Sequence, residues 1–85
     1  MAEQKIGEVI KFFSKASVAA IQITEGNLQV GDRIKIKGHT TDFEDRIESM
    51  QIENEAVQKA DVGQFVGIKV KERVREKDAV YKVVD

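Results

Sequence analysis

This 85-residue sequence predicts an all-β fold, and specifically a closed six-stranded antiparallel Greek-key barrel forming one domain over residues 1–85. Apolar and polar residues alternate over short runs, which is the period of a half-buried strand. Glycines fall between the runs, where turns often require a positive φ. A closed barrel would also leave no unpaired edge strand.

The alternation predicts strands at Val18–Thr24, Arg33–Lys37, Phe65–Lys71 and Ala79–Val84, and the apolar run Ile6–Phe13 predicts a further strand before them. The Ile6–Phe13 run has apolar residues on both parities, so it needs either a bulge or burial on both sides. The interior is expected to hold one shared set of side chains: Ala19, Ile21, Ile23, Ile34, Ile36, Ile47, Met50, Ile52, Val66, Ile68 and Val70.

A sixth strand is expected over Phe43–Ile52, where the apolar parity changes part-way. A one-residue bulge near Glu48 and Ser49 would return the whole run to one core. A helix is the weaker interpretation, because only Ile47 and Met50, with Asn54, have helical spacing. The following segment, Asn54–Gly63, is expected to be an irregular connection that covers part of the barrel.

Composition narrows the function classes. There is no cysteine, so disulfides and thiolate metal sites are excluded. The longest apolar stretch, Val18–Ile21, is far too short to span a membrane, and the first residues do not resemble a signal peptide. We therefore expect a cytoplasmic protein that does not associate with membranes.

The formal net charge of −1 argues against a globally basic nucleic-acid binder, but the charges are unevenly distributed. Residues 42–61 carry seven acids and two bases, whereas residues 69–82 carry six bases and three acids. These two segments either form a surface with a local positive patch or neutralise each other across neighbouring strands.

Three motifs resemble the second domain of translational GTPases such as elongation factor Tu. Residues 26–38 read G-x-L-x-V-G-D-x-I-x-I-x-G, residues 47–51 resemble that family's V-x-S-I-Q strand, and residues 57–68 resemble its V-x-x-A-x-x-G-D-x-V-G-I segment. Their order covers about Ile6 to Val84, so the resemblance implies a free-standing barrel of the elongation-factor domain 2 type.

The resemblance implies a non-catalytic module that binds RNA, the ribosome or a translation-related protein. No phosphate-binding loop is present, so we expect neither nucleotide binding nor GTP hydrolysis, and no cofactor. A free-standing barrel also resembles the C-terminal barrel of collagenase-like peptidase proteins involved in tRNA modification. The alternative is therefore a protein–protein adaptor, or a detached accessory subunit of a tRNA-modifying or peptidase-like enzyme.

Candidate catalytic and metal-binding residues are few. His39 is the only histidine, and its loop offers no convincing nucleophile and orienting partner. Asp42, Glu44 and Asp45 lack the spacing and the glycine of a calcium loop. The sequence therefore predicts a protein that is not an enzyme, with no catalytic, cofactor or metal residues.

The candidate ligand-binding residues are Phe65, Gly67, Lys69, Lys71 and Arg73. An outward aromatic ring beside a glycine and a lysine could stack and hold a nucleic-acid base. The alternative is that the Asn54–Val62 connection covers Phe65.

A second basic row, Arg33, Lys35 and Lys37, lies along one strand. It could follow a phosphate backbone, but pairing with Glu44 and Glu48 on the next strand is the favoured interpretation.

Overall fold

The structure is a computed structural model that describes residues 2–84, in which there are ten β-strands and no helix. The strands are β1 (Ala2–Phe13), β2 (Val18–Ile23), β3 (Asn27–Gln29), β4 (Arg33–Lys37), β5 (Asp42–Arg46), β6 (Met50–Ile52), β7 (Glu55–Val57), β8 (Lys59–Asp61), β9 (Phe65–Lys69) and β10 (Ala79–Val84). Across these described residues, therefore, no helix exists that could cross a membrane.

Eight strands form one sheet in the order β5-β4-β10-β1-β2-β9-β6-β7, and β3 pairs with β8 in a small second sheet. Every strand pairing in the described chain is antiparallel. The long strand β1 joins the two halves of the large sheet, because its first part pairs with β10 and its second part with β2. The all-β, antiparallel prediction is confirmed.

Two irregularities in β1 explain why apolar residues occupy both odd-numbered and even-numbered positions along this strand. The register shifts between Lys5 and Gly7 against β10, and between Val9 and Lys11 against β2. These shifts let Ile6 and Val9 both enter the core, although they are three residues apart on a strand. The predicted bulge in this strand is confirmed.

The interior is a single apolar cluster. Ten of the eleven residues predicted to face it are buried there, and Ile52 packs against it as a partly buried side chain. Phe43 is buried there too, as expected for its run. The predicted set did not include the other six members of the cluster: Ile6, Val9, Leu28, Ala60, Val74 and Val80. One core holds both halves of the sheet together.

The predicted closed six-stranded barrel needs correction. Residues 2–84 form ten strands, and their pairing leaves β5 and β7 as the two edges of an unclosed sheet. Beside the β5 edge, the peptide N–H of Lys71 donates a 3.0 Å hydrogen bond to the Asp45 carboxylate. The Asp45 side chain thereby links β5 to the segment that follows β9.

The run Phe43–Ile52 is two strands with a break between them. Its first part, β5, pairs with β4, and its second part, β6, pairs with β9. At the break, Ile47 exchanges backbone hydrogen bonds with the turn before β4, accepting from Gly31 and donating to Asp32. The predicted one-residue bulge is therefore wrong, because the chain changes partner strands.

Residues 54–63 are also more regular than expected. Glu53 and Asn54 have φ of 52° and 67°, as in a two-residue turn between antiparallel strands, and they join β6 to β7. Next, β8 pairs with β3 and buries Ala60, whereas Val62 is 56% exposed. This segment does not cover Phe65.

Candidate functional site

The candidate residues Phe65, Gly67 and Lys69 lie on the outward side of β9, since Val66 and Ile68 between them are buried. The antiparallel register places Phe65 opposite Gln22, and Lys69 opposite Val18. Gly67 lies between Ala20 on β2 and Gln51 on β6. Because paired residues point to the same side of a sheet, these side chains form one outer face.

Phe65 is 58% exposed, so of its two interpretations the solvent-facing one is correct. Gly67 forms a shallow gap rather than an open hole. A Cβ atom added there would lie 3.3 Å from Cγ1 of Val18. The outer face therefore has a shallow depression at the small residues Gly67 and Ala20, because the residues around them have larger side chains.

Sequence reasoning missed a second aromatic ring on this face. Phe13 of β1 lies opposite Val18, in the same cross-strand row as Lys69. It is 46% exposed, and Nζ of Lys11 lies 5.1 Å from the centre of its ring. The consecutive residues Phe12 and Phe13 were a usable signal, because neighbouring strand residues point to opposite faces.

The remaining two candidates lie beyond the end of β9, away from Phe65. Lys71 lines a cleft with Asp45, Arg46 and Glu48, and Lys69 lines the same cleft, so acidic side chains share the surroundings of both lysines. Arg73 lines a different, open cleft of about 450 Å³ between the end of β1 and the segment before β10. The structure thus groups Phe65, Gly67 and Lys69 and separates Lys71 and Arg73 from Phe65.

The row Arg33, Lys35 and Lys37 is neutralised in part, but not by the predicted residues. In the described chain, Lys35 and Lys37 both form ion pairs with Glu3, at 3.6 and 3.1 Å, and neither pairs with Glu44 or Glu48. Hydrogen bonding to Lys37 is the main reason why the pKa of Glu3 lies below its ordinary value. The same bond raises the pKa of Lys37.

His39 is an exposed loop residue that follows the end of β4. No group of three or more His, Cys, Asp or Glu side chains able to hold a metal ion occurs within residues 2–84. All the clefts described above are shallow and open to solvent, which suits contact with a macromolecule better than enclosure of a small molecule.

No protein-family model matches the chain. Curated proteins, by contrast, include relatives that match most of the chain. A collagenase of Porphyromonas gingivalis is 41% identical over 78 residues, covering 91% of this chain and 22% of the relative. An uncharacterized protease of Methanocaldococcus jannaschii is 44% identical over 78 residues, covering 91% of this chain and 19% of the relative. The chain therefore spans about a fifth of the length of these relatives.

Solved structures show the same fold. The C-terminal domain of a candidate U32 peptidase from Geobacillus thermoleovorans superposes with a TM-score of 0.87, covering 95% of this chain and 93% of that domain. The selenomethionine variant of that domain gives a TM-score of 0.85 over 91% of this chain and 96% of its own. Sequence identity is 21% in both cases, so these matches establish the fold alone.

These comparisons correct two predictions. The chain is similar to peptidase proteins and not to a translation elongation factor, so the elongation-factor assignment is wrong. The prediction that the protein is not an enzyme is overturned as well, because the curated relatives are named collagenase and protease. The glycine-punctuated motifs described a strand-and-turn pattern that different protein families share. The alternative of a peptidase-associated domain is the one that the comparisons support.

Proposed function

We propose that this chain is an accessory β-domain of a U32-type peptidase protein, which it serves by packing beside the larger peptidase body. The observation that carries the proposal is the match of 91% of this chain, at 41–44% identity, to one-fifth-length segments of proteins named collagenase and protease. The structural match to a domain of a candidate U32 peptidase supports the same role.

The form of the molecule is consistent with such a role. Seventeen apolar residues make one core, so the domain has its own interior and needs no second domain to bury it. Several large apolar side chains remain exposed on its surface: Ile10, Phe13, Val62, Phe65 and Val84. Contacts between domains of one protein typically use such partly apolar surfaces.

A domain replacement tests the proposal. In the P. gingivalis collagenase, the matching 78-residue segment would be either deleted or replaced by the corresponding residues of this chain. We expect the deletion to lose collagen cleavage and the replacement to restore it to within a few-fold of the parent enzyme. A replacement protein that is folded by circular dichroism and yet cleaves no faster than the deletion would overturn the proposal.

A further inference from the structure

One end of the molecule collects positive charge from two separate parts of the sequence. The second half of β1 and its turn into β2 run beside the segment that connects β9 to β10. Three backbone hydrogen bonds hold them together: Val70 N–H to Ser17 O, Lys77 N–H to Val9 O, and Val9 N–H to Asp78 O. We call the exposed bases on this surface the basic end: Lys11, Lys15, Lys69, Arg73, Arg75 and Lys77.

The acids of the molecule neutralise the basic end only in part. The four ion pairs found among residues 2–84 use Lys35, Lys37, Lys59 and Lys82, none of which belongs to it. Three acids, Glu72, Glu76 and the buried Asp78, accompany the six bases along the same two segments, and Lys69 also shares a cleft with Asp45 and Glu48. Most of the acids of residues 42–61 lie on β5, β7 and β8, strands that pair with neither β1 nor β9. A local positive field therefore exists on a chain whose net charge is −1.

Aromatic surface lies within the same patch. Phe13 is exposed beside Lys11 and shares its cross-strand row with Lys69. Phe12 points to the opposite side of β1, where it lines a cleft together with Ser14, Arg73 and Arg75. Phe65 lies two rows away, opposite Gln22, which in turn lies opposite Glu8, so its surroundings are less positive.

We infer that the basic end binds single-stranded RNA. Its bases would contact successive phosphates, and the exposed ring of Phe13 would stack on one base. Exposed aromatic rings combined with a positive surface are what sequence-independent single-strand binding uses. An acidic protein segment would be attracted by the same charge but would gain nothing from stacking. This inference is independent of the proposed peptidase association, because it concerns the isolated chain.

The test is fluorescence anisotropy of a labelled 12-nucleotide oligouridylate, titrated with the full chain at several KCl concentrations. We expect the affinity to fall linearly on a log–log plot against salt, with a slope of about −0.7 for each phosphate contacted. Lys69→Ala and Arg73→Ala should each make that slope shallower by about 0.7. Phe13→Ala should weaken binding by roughly five-fold or more at every salt concentration, with the slope unchanged.

Two controls make the outcome decisive. Lys59→Ala removes one exposed charge from β8, outside the basic end, and should change neither affinity nor slope. Polyglutamate of similar length should compete poorly with the oligonucleotide. Absence of binding at low salt, equal losses for Lys59→Ala and Lys69→Ala, or equal competition by polyglutamate would each overturn the inference. Thermal melts of every variant would show that each is folded at the assay temperature.

Discussion

Two glycines, on the two strands that flank β2, show how single positions set the limits of this fold. Gly7 is buried in the irregular part of β1, and a Cβ atom there would overlap the backbone carbonyl of Gln22 on β2. Gly67 faces outward, and its added Cβ would lie 3.3 Å from Cγ1 of Val18 and in ordinary contact, at 3.8 Å, with the backbone oxygen of Gln51. The sequence drew attention to Gly67 because it belongs to a recognisable motif, whereas Gly7 lies inside a strand and belongs to no motif. Only the close approach of two backbones reveals its role.

Gly7→Ala should therefore lower the free energy of unfolding by about 1–3 kcal/mol, since rigid backbone must move to accept the methyl group. Gly67→Ala, the matched control, should stay within about 1 kcal/mol of the parent protein. Urea unfolding followed by circular dichroism gives both values. Equal unfolding midpoints for the two variants would contradict the packing described for β1.

The contacts of Glu3 with Lys35 and Lys37 predict a pH dependence. The pKa of Glu3 in the folded state lies below its ordinary value of 4.5, mainly through the Lys37 hydrogen bond. The stability from this contact is therefore complete above the unfolded pKa and is lost as pH falls through the lowered folded pKa. At pH 7 the parent should unfold at a slightly higher urea concentration than Glu3→Gln, and this difference between the two urea midpoints should disappear as the pH falls to 2. A difference that does not change with pH would contradict the assignment.

At the scale of elements, periodicity predicted the paired strands well but not the changes of partner. Alternation identified β2, β4 and β9, because each is half-buried over its whole length. It could not distinguish a bulge from the break at Ile47–Ser49, because both shift the apolar parity by one residue. The short strands β7 and β8 were missed for another reason: each has only three residues, too few for a period to be visible.

The β6–β7 hairpin offers a test at this scale. Its turn places Glu53 at a φ of 52°, a conformation that costs most L residues free energy but that asparagine tolerates. Glu53→Asn should therefore raise the stability by roughly 0.5–1 kcal/mol. Glu55→Asn removes the same charge from the exposed first position of β7 and should give no such gain in a thermal melt. A loss of stability in Glu53→Asn would show that the turn is formed differently.

For the whole molecule, composition could predict a small single core and an uneven charge distribution, but not where the charges would meet. Both the basic end and the outer face depend on strand order, which brings β1 beside β2 and the segment after β9 beside β1. Lys11 and Phe13 are distant in sequence from Arg73 and could not be grouped with it by spacing. The motifs, in turn, fell on strands and turns of this fold but pointed to the wrong family, because such signals report on fold more than on function.

The central claim, that a folded domain of this kind supports a peptidase body, is tested most directly by collagen cleavage in the P. gingivalis replacement protein. Two versions would be compared, one with this chain's own sequence and one with Gly7→Ala, at a temperature between the melting points of the two isolated domains. We predict that the first restores kcat/KM to within a few-fold of the parent and that the second falls toward the level of the deletion. Equal cleavage by both versions, or cleavage by neither, would contradict the account.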